Sequence, residues 1–69
     1  MLFKASGEYQ AGGYLVPLYS GAVEVSFNAK DHEEAEDVAE LRLRQNVSRR
    51  SCMDLRMVRV SDIRVTAAE

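Results

Sequence analysis

Apolar and polar positions change rhythm along the chain, and the rhythm predicts its elements. Leu2 to Tyr9 reads as a first strand with weak alternation. Gln10-Ala11-Gly12-Gly13 reads as a turn, because glycine adopts positive φ without steric cost. Tyr14 to Tyr19 is a second extended run, and Pro17 inside it marks an edge strand, a bulge or an extended loop. Ser20-Gly21 reads as the next turn. Ala22 to Ala29 carries the clearest strand pattern. Val23, Val25 and Phe27 point one way, and Glu24, Ser26 and Asn28 the other.

Asp31 then opens a helix. Asp31-His32-Glu33-Glu34 fits a capping box, with Asp31 as N-cap and Glu34 three residues on. Ala35, Val38 and Ala39 form the apolar stripe, with Leu41 and Leu43 at its flanks. Glu40 and Arg44 stand one turn apart in the favourable orientation for an ion pair. The helix is expected to end near Gln45-Asn46, followed by a basic, polar connection from Val47 to Ser51. Cys52 to Val60 reads as a strand, which Ile63 to Thr66 continues or follows. Met53, Leu55 and Met57 share one parity, Val58 and Val60 the other, and Ile63 and Val65 return to the first. A regular strand cannot switch faces, so a bulge or break is expected near Ser61-Asp62, with burial on both faces around Met57-Val58.

The predicted fold class is α+β: an antiparallel sheet of three to five strands with one helix packed across one face, in the order β-β-β-α-β(-β). The whole chain, 1–69, is expected to be a single small domain.

Composition narrows the chemistry. With 1 Cys the chain closes no internal disulfide, and with 1 His it lacks the ligands of an ordinary structural zinc site. No run approaches the length of a membrane helix, and the first residues show no basic segment followed by a long apolar stretch. The expectation is a cytoplasmic chain with no membrane contact, no metal and no cofactor. Trp is absent and much of the apolar content is Ala, so the core is thin. Self-association, which would bury a second apolar face, is therefore expected.

His32 and Cys52 are too isolated to suggest a nucleophile–base pair. His32 and Glu36, one helical turn apart, make at most an adventitious ion site. Gly12-Gly13 lacks the Lys-Ser/Thr of a phosphate loop. No convergent catalytic set emerges, and the reading is non-enzymatic.

Charge is the most individual feature. The net charge of −2 hides two opposed segments. From Glu24 to Glu40, seven acids face Lys30 alone, a balance of −6. From Leu41 to Val65, seven Arg face Asp54 and Asp62, a balance of +5. The plain structural explanation is dipole matching together with pairing between helix and last strand. Two functional readings go further. In the leading one the chain is a protein-binding module, of the kind an accessory or phage-encoded modulator of a host protein would be. Its surface would combine the acidic helix (Glu33, Glu36, Asp37, Glu40) with Tyr14 and Tyr19. In the alternative, a nucleic-acid-binding protein uses the Arg-rich segment 42–64, with Arg49, Arg50, Arg56, Arg59 and Arg64 as contacts.

Overall fold

A computed structural model describes residues 1–13 and 18–68. Among these, the chain forms β1 (Leu2–Ala11), β2 (Tyr19–Asn28), α1 (His32–Ser51) and β3 (Val58–Ala67), with a 3-10 turn at Leu55–Met57 before β3. The sheet order is β2-β1-β3, and both neighbours run antiparallel to the central β1. The α+β class and the helix on an antiparallel sheet stand. The described order is β-β-α-β, with three strands rather than four or five.

The difference begins at Gly21. Ser20-Gly21 is no turn; both residues lie within β2. Gly21 pairs with Tyr9, and a Cβ added there would meet the Tyr9 ring at 3.3 Å. The glycine makes room for a cross-strand aromatic ring rather than reversing the chain. Of the extended run expected from Tyr14 to Tyr19, residues 14–17 lie outside the described residues, and Tyr19 opens β2.

One face of the sheet is the core. Phe3, Ala5 and Ala11 of β1, Val23 and Phe27 of β2, and Val58 of β3 are buried under α1. Val25 is half-buried beside them, so the predicted parity of this strand holds. The helix contributes Ala35, Ala39, Leu43 and Val47, one residue per turn. Small Ala side chains let the backbone of α1 come close to the sheet. Leu41, expected at the stripe's flank, is 45% exposed. Each fully buried Phe, Leu or Val contributes about 1.5–3 kcal/mol, so Phe3, Leu43 and Val58 carry much of the stability.

At its start the helix follows expectation: the Asp31 carboxylate accepts from the Glu34 N–H at 2.9 Å. Its end does not. The helix continues to Ser51, and the expected polar connection is its last turn. Burial of Val47 extends the stripe by one further turn and outweighs the modest propensities of Asn46 and Ser48. Cys52 ends the helix in the left-handed conformation (φ 56°), its N–H donating to the Ser48 carbonyl. Cys52 is thus an exposed cap, not a strand residue.

The expected strand from Cys52 is replaced as far as Met57 by a turn and the 3-10 element, which Asp54 caps by accepting from the Arg56 N–H at 2.9 Å. The double-sided strand burial expected at Met57-Val58 is therefore absent; Met57 belongs to the 3-10 turn. The bulge lies where the parity change requires it. Ser6 pairs with Arg64 and Glu8 with Ser61, so Gly7 faces two residues, and Asp62 takes φ 53°. That extra residue brings Ile63 and Val65 back to the core side with Val58 and Val60.

Candidate functional site

The second sheet face is uncovered and polar. The register lines up Ser20, Gln10 and Arg59, then Ala22, Glu8 and Ser61, then Glu24, Ser6 and Arg64. An open trough of about 700 Å³ crosses it near Glu8, Gln10, Ser20, Arg59 and Ser61. All five side chains are exposed, which is unlike the enclosed, mostly apolar pockets that hold small molecules.

The two sheet edges differ. Met1 and Ala29 exchange both backbone hydrogen bonds, at 3.1 and 3.0 Å. Antiparallel alternation then directs the N–H and C=O groups of Phe27, Val25 and Val23 towards β1, and those of Asn28, Ser26, Glu24 and Ala22 outwards. Nothing among the described residues pairs with that outer side. β2 keeps register with β1 over its 10 residues, without a bulge, a Pro or a Lys. These are the devices that usually blunt an edge. β3 has one of them, the bulge at left-handed Asp62.

A groove of about 330 Å³ runs between β2 and α1. The strand contributes Glu24 to Phe27, and the helix contributes Arg42, Gln45, Asn46 and Arg49. Positions 42, 45 and 49 recur at helical spacing, so they share the flank of α1 that borders β2. Arg42 and Arg49 are exposed. Among the described residues the ion pairs are Lys4–Glu24 at 3.4 Å, His32–Glu36 at 2.8 Å and Arg56–Asp54 at 3.1 Å. Neither groove arginine is neutralised by them. The Asn46 Oδ1 is buried with no hydrogen-bond partner.

Pairing between the helix and the last strand is likewise absent from those three ion pairs. The expected Glu40–Arg44 pair is replaced by another arrangement. Arg44 donates from Nε to the Val58 carbonyl and from Nη2 to the Leu55 carbonyl, each at 3.1 Å. The charge polarity of the sequence is therefore largely left facing solvent.

The described residues expected to bind a protein lie in two places. Glu33, Glu36, Asp37 and Glu40 are exposed on the first half of α1, with Glu36 held by His32. Tyr19, 51% exposed, starts β2 at the end remote from the start of α1, and a 10-residue strand is roughly 30 Å long. Tyr14 lies outside the described residues. The arginines of the alternative reading are also divided. Arg49 borders the groove and Arg50 lies in the last turn of α1. Arg59 and Arg64 line cavities on the uncovered sheet face. Arg56 is tied to Asp54, and its side-chain and backbone hydrogen bonds hold that carboxyl below the usual carboxylate range.

His32 stands at the start of α1, its ring edge-on to Phe3, while Cys52 caps the far end. The 20-residue helix separates them by about 30 Å. No group of three metal-ligating side chains occurs among the described residues.

The groove is not evident from the sequence, in which Arg49 falls within the expected polar connection. The usable signal was the spacing of Arg42, Gln45 and Arg49 beside a buried stripe that runs on to Val47. No protein-family model matches the chain, and no curated protein or solved structure does either.

Proposed function

We propose that this chain is a small, non-enzymatic protein-binding module whose β2 edge pairs with an extended segment of another protein. The observation that carries the reading is the long, uninterrupted outer edge of β2 beside the α1 groove. Strand addition obtains affinity from main-chain hydrogen bonds and specificity from the side chains on either face. An accessory or modulator role on a larger host protein is consistent with such a surface. The reading includes a cytoplasmic location; among the described residues no helix is long and apolar enough to cross a membrane.

The nucleic-acid alternative rests on the arginines, and their division between separate faces weakens it.

Replacing Ser26 by Pro tests the reading. Its N–H points outwards, so the substitution spares the ladder to β1 while removing a donor from the free edge. Affinity capture from a native, nuclease-treated extract should retain a protein on the wild-type chain and lose it on the folded Ser26→Pro variant. Ala22→Pro repeats the test two residues away. Retention unchanged by either variant contradicts edge pairing, and material removed by nuclease favours the alternative.

A further inference from the structure

We infer that the segment accepted by β2 is acidic, with carboxylates at alternate positions on its helix-facing side; this rests on the edge-pairing reading above. An added strand continues the pleat of the sheet, so every second side chain falls on the α1 side. There it meets Val25 and Phe27 from the strand and Arg42 and Arg49 from the helix. The two arginines stand seven residues apart on α1, a rise of about 10.5 Å. Same-face residues of a strand repeat at roughly 6.7 Å, and the arginine stems span the difference. Neither guanidinium has a carboxylate among the described residues, and the guanidinium fork suits a carboxylate in two-point contact. Glu24, the acidic residue on β2, shares its parity with Ser26, on the opposite face from Val25, and is engaged by Lys4. The one acid that lines the groove is thus already paired with Lys4, while the helix side offers Arg42 and Arg49 and no carboxylate.

A second copy of the chain fits poorly. Antiparallel β2–β2 pairing matches outward-facing residues with outward-facing residues, which keeps both helices on the same side of the joined sheet. Registers that pair the middle of the strand bring the Arg42 and Arg49 flanks together, and opposed like charges are destabilising. A nucleic-acid strand offers phosphates to the arginines but no ladder to the edge amides.

Binding to three probes tests the inference: an end-blocked octapeptide alternating Glu and Thr, its Lys–Thr counterpart, and an eight-nucleotide oligothymidylate. The expected result is preferential, salt-sensitive binding of the Glu–Thr peptide. Affinity should fall at least about ten-fold in the Arg42→Glu/Arg49→Glu double variant and in Ser26→Pro. Both arginines are exposed, so the double variant should keep its circular dichroism spectrum; Arg42→Gln/Arg49→Gln serves as a milder second variant. Equal binding of both peptides, lost in Ser26→Pro, overturns the acidic preference and leaves edge pairing standing. Glu–Thr binding that ignores Ser26→Pro overturns edge pairing itself, as does failure of both peptides to bind. Preference for the oligothymidylate overturns the inference in favour of nucleic acid. A dimer in sedimentation that Ser26→Pro dissociates assigns the edge to a second copy instead.

Discussion

Arg44 donates from its Nε to the carbonyl of Val58 at 3.1 Å, joining the second half of α1 to the first residue of β3. Its Nη2 takes the Leu55 carbonyl at the same distance. The side chain is half-buried and Val58 is 1% exposed. Arg44→Met keeps most of the aliphatic stem and leaves two carbonyls without this donor. It should cost about 1–3 kcal/mol in urea or thermal unfolding. Arg44→Lys should recover only part of that loss, because one ammonium does not reproduce the fork. An unchanged midpoint in Arg44→Met would show that the contact is idle.

Gly7 faces the bulge of β3. A Cβ there would stand 2.9 Å from the Ser61 carbonyl oxygen and 3.0 Å from Val60 Cγ1. Backbone cannot yield cheaply, so Gly7→Ala should destabilise by about 1–3 kcal/mol. Gly21→Ala should cost less, since its added Cβ meets the movable Tyr9 ring at 3.3 Å. Equal unfolding midpoints for the two variants would contradict this account of the bulge.

Cys52 holds the left-handed cap that glycine usually occupies (φ 56°). Cys52→Gly should therefore stabilise the fold, by about 1 kcal/mol, while removing an exposed thiol. Cys52→Val should do the reverse, because a β-branched residue is a poor fit at positive φ. Thermal melts under reducing conditions separate the two outcomes.

Asp54 accepts the Arg56 guanidinium at 3.2 and 3.1 Å and the Arg56 backbone N–H at 2.9 Å. The side-chain bonds foremost, then the backbone bond, hold its carboxyl below its ordinary value. A carboxylate depressed by folding contributes stability above its unfolded pKa and loses it as pH falls through the folded one. The cap on the 3-10 turn should thus persist at neutral and mildly acidic pH and fail only in strong acid. Arg56→Gln should move the Asp54 titration upwards in a carboxyl-detected NMR experiment; an unmoved titration would contradict the assigned cause.

The elements most legible in the sequence were those set by neighbours along the chain. Val23, Val25 and Phe27 announced a half-buried strand by their alternation, and Asp31 with Glu34 announced a cap. The face change between Val60 and Ile63 required the bulge that Asp62 makes. What escaped was set by distant contacts. Gly21 carries the signature of a turn, yet Tyr9, twelve residues away, makes it a strand position. Val47 sits among polar residues, yet its burial against the sheet carries α1 to Ser51. The groove was hidden for the same reason, since it exists only once Arg42 and Arg49 share one helix beside Val25 and Phe27.

The most direct test of edge pairing is amide hydrogen exchange along β2, measured with and without the Glu–Thr octapeptide. In the free chain the outward amides of Ala22, Glu24 and Ser26 should exchange faster than the inward amides of Val23, Val25 and Phe27. Saturating peptide should slow the outward set selectively, by at least about ten-fold. Outward amides that stay fast while the peptide is bound would contradict pairing at this edge.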